Sequence, residues 1–303
     1  MEATAWFLGG PLCYSAGALF LAGLAWKTWT IARLPRHIRW ELYPLPRDGA
    51  AGSKYQQVDW AARQHRATHL AEMLFLIQEI FLLKKVFTHG RRLWPGSFLL
   101  HIGLYLSIAA GSLLGLEVLS DVCGAGTFSP LHRATLWLGL WGVSLGLAGT
   151  LYLLVLRLAD GGLRRMSDPA TFLHLLLLAT MFAGWLVAGL RAEGNLTGLR
   201  KHLAALLSGR PGTIGQPALL FALFVTALFL IYLPWSRMFH FVAKYFFYHA
   251  VLWENEPMRS GSRLEQDFVR YLGYTASWSA QHVRPQGSWA EQAAPAAGDN
   301  AHD

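Results

Sequence analysis

Five apolar stretches, separated by polar and basic connections, organise this chain: residues 6–26, 98–116, 134–156, 171–190 and 217–242. A bilayer's hydrocarbon core is about 30 Å thick and takes about 20 apolar residues as helix. Helix also satisfies every backbone donor and acceptor within the segment, where no water is present to do so. The pattern therefore predicts an all-α integral membrane protein, a five-transmembrane-helix bundle with interfacial cytoplasmic helices. Residues 66–87, RATHLAEMLFLIQEIFLLKKVF, are apolar but interrupted by Glu72, Gln78, Glu79, Lys84 and Lys85, which predicts a helix lying in the membrane interface. The preceding LPRHIRWELYPLPRDGAAGSKY, with Pro35, Pro44, Pro46 and a glycine-rich turn, reads as loop. A small helix is expected over Leu196–Leu207, an aromatic interfacial helix from Ala243, and another short helix within RLEQDFVRYLGYTASW. From about 284 the chain is rich in Ala, Pro, Gly and Gln, which predicts disorder. The expected division is a membrane domain over 1–255 and a cytoplasmic tail over 256–303.

Composition agrees with the pattern. The 303 residues are 53% hydrophobic and only 15% charged, against about 25% charged in a soluble domain. Mean hydropathy is +0.31. The net charge of +8 would raise nucleic acid as a partner in a soluble protein. Here the preference of Lys and Arg for the cytoplasmic side accounts for it, and no nucleic-acid role is expected. The connection from 27 to 97 holds the densest basic residues, which places it inside and predicts an N-out, C-in arrangement. The outer loop 191–216 runs against this bias with Arg191, Arg200, Lys201 and Arg210. The opening MEATAW lacks a basic region and a cleavage site, so the first span is expected to be retained. Cys13 and Cys123 form no zinc or iron–sulfur pattern, so any cluster chemistry belongs to another subunit.

Of twelve histidines, His101 near the start of the second span and His240 at the end of the fifth carry the sharpest chemical reading. Antiparallel spans bring both to one membrane depth, near the inner surface. Two neutral imidazoles facing each other across a bundle can hold the iron of a b-type haem. The plainer alternative is two buried histidines hydrogen-bonded to carbonyls. Gly103, Ser107, Ala109, Ala110 and Gly111 beside His101 would let a flat macrocycle approach, although small residues also serve helix packing. His174 is a competitor for the same depth. Arg237 would pair with a haem propionate or snorkel to the interface. Glu72 and Glu79, seven apart on one helical face, would exchange protons with a quinone headgroup, or pair with Lys84, Lys85 or nearby arginines. Lys244 and His249 would reach a partner surface. His132 and His202, in outer loops, are a weaker substitute ligand pair. No phosphate-binding loop, HExxH or GxSxG context supports hydrolytic chemistry.

At SFLLHIGLYL and YLPWSRMFHFVAKYFFYHAVLWENEP the chain resembles the gamma, cytochrome b subunit family of respiratory nitrate reductase. It looks closer to the membrane cytochrome b subunits of Dsr- and Tmc-type complexes, which LPRHIRWELYPLP, GSKYQQVDW and EIFLLKKVF also resemble. The resemblance runs over most of 1–255. It implies five spans in a bacterial-type inner membrane, haem b, and electron exchange between membrane quinone and a cytoplasmic iron–sulfur subunit of the Hdr/Dsr-like kind. It matches His101 and His240 to the axial ligands of the inner haem. The family's second ligand pair falls at Gly111 and Ala222, which cannot ligate iron, so one haem is implied and the quinone belongs near it. The rival expectation is a haem-free structural anchor that recruits a soluble redox partner.

Overall fold

A computed structural model describes residues 2–34, 69–124, 129–191, 196–249, 260–280 and 283–293. Most of the loop expected over 34–55 lies outside the described residues, as do His37, His65, His282 and His302. In chain order the helices are α1 (Glu2–Gly9), α2 (Pro11–Ala32), α3 (His69–Phe81), α4 (Lys84–His89), α5 (Trp94–Val122), α6 (Ser129–Ala159) and α7 (Gly161–Arg165). There follow α8 (Pro169–Arg191), α9 (Thr197–Leu207), α10 (Pro217–Tyr232), α11 (His240–Phe247), α12 (Arg263–Leu272) and α13 (Trp289–Ala293). Among the described residues the only extended pairings are isolated bridges.

Five helical stretches are long and apolar enough to cross a membrane: Glu2–Ala32, Trp94–Val122, Pro130–Ala159, Pro169–Arg191 and Pro217–Trp235. Four of them open on or just before a proline, namely Pro95, Pro130, Pro169 and Pro217, and within the first, α2 opens on Pro11. Proline lacks an N–H, and the first turn of a helix is where that N–H would have no intrahelical partner anyway. The 29 residues of α5 extend about 43 Å, so its ends pass beyond a 30 Å hydrocarbon core. The first span is interrupted at Gly10, between α1 and Pro11 of α2.

The chain forms two units: 1–27 with 72–239, and 28–71 with 240–303. In the first, α5 packs on α6, α6 on α8, α8 on α10, and α10 on α1, while α9 caps α5 at one end. The α5–α6 seam is made of small residues. A Cβ on Gly103 would lie 2.2 Å from the backbone nitrogen of Gly146, and one on Gly149 would lie 2.3 Å from that of Leu100. Two apolar clusters stack along the bundle. One is centred on Leu100, Leu178, Phe182 and Val225, the other on Leu114, Leu199, Ile214 and Leu219 at the α9 end.

Three expectations are corrected here. The interfacial helix breaks after Leu82, because Leu83 takes a left-handed backbone (φ 49°) and α4 starts afresh. The fifth span does not run to 242. Its α-helix ends at Tyr232, and Pro234 opens the chain into two short 3-10 turns, Leu233–Trp235 and Arg237–Phe239. His240 therefore begins α11 in the second unit rather than closing the fifth span. Residues 284–293, expected to be disordered, are instead organised through α13. Ser288 and Glu291 form a capping box: the Glu291 N–H donates to the serine hydroxyl at 3.2 Å and the Ser288 N–H to the carboxylate at 2.8 Å. Thr275 bridges to Ser288, and Val283 is buried.

Candidate functional site

His101 sits seven residues into α5, about 10 Å from its start. Its Nδ1 lies 2.7 Å from the carbonyl oxygen of Ser97, one turn back. A carbonyl only accepts, so Nδ1 carries a hydrogen, and in the neutral ring Nε2 then carries the lone pair. Histidines that ligate metal through one nitrogen are commonly anchored in this way through the other. The ring is half-buried and meets Tyr105 edge-on at 6.3 Å. Trp94 and Tyr105 lie on the same face of α5 as His101, and both tie down the end of α3. The Tyr105 hydroxyl donates to Ile80 O (2.9 Å) and the Trp94 indole N–H to Leu82 O (2.8 Å).

Three of the small residues do not serve this face. Gly103, Ser107 and Ala110 line the α5–α6 seam, about 200° round the helix from His101 in the case of Gly103. They admit a neighbouring helix backbone, not a macrocycle beside the histidine.

Of the other residues expected at this end, Arg237 forms an ion pair with Asp168. Hydrogen bonds from the Thr171 hydroxyl and N–H, then the nearby guanidinium, hold the Asp168 carboxyl below the ordinary carboxylate range. The Nε2 of His174, the expected competitor, is 2.8 Å from the Tyr232 hydroxyl. Glu79 is 2% exposed, and its carboxylate accepts the Lys85 backbone N–H at 3.0 Å, so it caps α4. Lys84 turns to Gln78 at 2.8 Å. Glu72 lies two turns before Glu79, in the first turn of α3. His249, on the second unit, has its Nδ1 on the Tyr245 carbonyl at 2.9 Å. His101 belongs to the first unit and His240 to the second.

The opposite end holds a polar network that the sequence reading passed over. Glu117 is completely buried within α5. Its carboxylate accepts from the Thr135 hydroxyl and lies 3.0 Å from His132 Nδ1 and 3.5 Å from the Arg200 guanidinium. Arg200 also pairs with Asp121. A carboxylate taken out of water survives only with such partners. The network draws on α5, α6 and α9, and pins the capping helix to the bundle. His132 and His202 do not form a ligand pair. His132 is the first-turn partner of Glu117, whereas His202 is 6% exposed and packs on Gly9. Its Nε2 has no hydrogen-bond partner among the described residues. Burial holds His202 below the usual imidazole pKa. The signal that would have revealed the network was available: an isolated acid inside an apolar run, and surplus arginine in the loop 191–216.

No family model, curated protein or solved structure matches this chain.

Proposed function

We propose that this chain is the membrane haem b subunit of a respiratory-type oxidoreductase complex, passing electrons between the quinone pool and a cytoplasmic, Hdr/Dsr-like iron–sulfur partner. The observation that carries this reading is the His101 imidazole. It is half-buried in a membrane-length helix, with Nδ1 anchored on Ser97, which in the neutral ring leaves the lone pair on Nε2. His101 and His240 are the proposed axial ligands, and a haem held by them supplies a one-electron carrier. The Ser97 carbonyl sets the ring orientation of His101 and raises its basicity. Arg237, already held by Asp168, contributes positive charge to this end. Glu79 is committed to capping α4, so proton exchange with quinone falls to Glu72. The proposed orientation is N-out and C-in, in a bacterial-type inner membrane.

A reduced-minus-oxidised spectrum with haem quantification on the purified chain tests the proposal. About one haem b per chain is expected from the single ligand pair, with loss in both His101→Ala and His240→Ala. Absence of haem from well-folded wild-type protein would sink it. A haem-free anchor is the second reading. It draws on the engagement of Arg237 by Asp168 and on the use of Gly103 for helix packing rather than for a macrocycle.

A further inference from the structure

We propose that the end of the bundle opposite His101 binds an anionic phospholipid, with one acyl chain in a cavity between α2, α5 and α9 and the phosphate at Arg210. The cavity has a volume of about 300 Å³, and its lining includes Cys13 and Tyr14 of α2, Gly115 of α5, and Leu203, Leu206 and Leu207 of α9. That volume reaches the lower bound of roughly 300–1,000 Å³ for small-molecule sites. The few polar atoms at its wall are already satisfied by the chain itself. The Tyr14 hydroxyl donates to the Leu206 carbonyl, and the Cys13 thiol lies 3.5 Å from Leu8 O. A water inside would therefore lack the two to four polar partners that about every buried water needs. An acyl chain asks for none. Gly115 supplies the cradle: a Cβ there would meet nothing within 4 Å, in contrast to Gly103 and Gly149 of the α5–α6 seam, where an added carbon collides with backbone.

Charge complementarity selects the headgroup. Of the four cations in 191–216, Arg200 is committed to Asp121 and Glu117, and Arg191, Lys201 and Arg210 are exposed. Arg210 follows Leu207 by three residues, with its N–H bonded to Ala205 O at 2.9 Å. The next residue, Pro211, packs over Gly10, one turn before Cys13 and Tyr14. The backbone of Arg210 thus stands where the cavity wall of α9 meets that of α2. A guanidinium offers a phosphate two parallel hydrogen bonds and a matching charge, whereas a neutral isoprenoid quinone has no negative charge to pair with it. The inference is independent of whether the chain binds haem.

Native mass spectrometry of the full chain, released from phosphatidylcholine nanodiscs containing phosphatidylglycerol, tests it. Wild type is expected to retain one phosphatidylglycerol in preference to phosphatidylcholine. Gly115→Phe should fill the cavity and lose the retained lipid. Arg210→Gln should keep a lipid but lose the preference for the anionic one. Gly161→Leu, at the far end and equally open, should behave as wild type and shows that added bulk alone is harmless. Retention unaffected by Gly115→Phe, no retained lipid in folded wild type, or displacement of the phospholipid by added ubiquinone would each overturn the proposal.

Discussion

The carboxylate of Glu117 is completely buried and depends on its partners. Its removal leaves the Thr135 hydroxyl, His132 and Arg200 facing a space that no longer accepts hydrogen bonds. Losing one partner of a buried pair costs about 3–5 kcal/mol. Arg200 keeps Asp121, so the expected loss for Glu117→Ala is about 2–3 kcal/mol. Glu117→Gln, which still accepts from Thr135, should lose less. Unfolding in mixed micelles of rising SDS content, followed by helical circular dichroism, reads both. His202 gives a second test, in pH. Its folded pKa is lowered by burial, so the unfolded chain binds the proton more readily. The stability it contributes is present above about pH 6.5 and is lost as pH falls from there through the depressed folded value. Amides of 197–214 should exchange faster at acid pH than the intrinsic rate explains. His202→Gln should remove that excess, and an unchanged excess would place the acid sensitivity elsewhere.

At the scale of elements, the α5–α6 seam makes a sharp distinction between two glycines eight residues apart. Gly103→Ala would put a methyl against the Gly146 backbone, which has no rotamer with which to yield. Forced separation of the helices should cost about 1–3 kcal/mol. Gly111→Ala meets nothing within 4 Å and should be neutral or stabilising by about 0.5–1 kcal/mol through helix propensity. A thermal-shift comparison of the two in one detergent decides it, and equal effects would mean that the seam is not where it stands here. The spans themselves were legible, since an apolar run of bilayer length opening on a proline leaves a helix few alternatives. Their interruptions were less so. Pro234 lies inside a run whose hydropathy continues past it, and periodicity alone carried the fifth span through to His240. Glu117 was hidden because the second span was ended at 116 and its partner Arg200 lies 83 positions on. The Ser288–Glu291 box was overridden by the Ala- and Pro-rich composition around it.

For the molecule as a whole, orientation decides which partners each end can meet, and the distribution of cations argues for one answer. Lys84, Lys85, Arg91, Arg92, Arg157, Arg164, Arg165 and Arg237 cluster where α4 leads into α5, at the α6–α7 junction and after α10. Arg133, Arg191, Arg200, Lys201 and Arg210 lie at the other end. The rule that Lys and Arg remain on the cytoplasmic side supports the proposed orientation, with the His101 end inside. The two cysteines allow a direct reading. Cys123, between α5 and α6, is exposed, whereas Cys13 is half-buried in the first span. Met166, between α7 and α8, is 85% exposed and one crossing away from Cys123. In a Cys13→Ala background, a membrane-impermeant maleimide should modify Cys123 in intact spheroplasts. With Cys123→Ser and Met166→Cys added, it should react only after permeabilisation. The reverse pattern would turn the bundle over and put the proposed haem end, with any iron–sulfur partner, on the wrong side of the membrane. Labelling of both from one side would mean that α6 does not cross at all. Because α5, α6 and α8 are bound through the glycine seam and a shared core, that outcome would count against the five-span bundle itself, not only its direction.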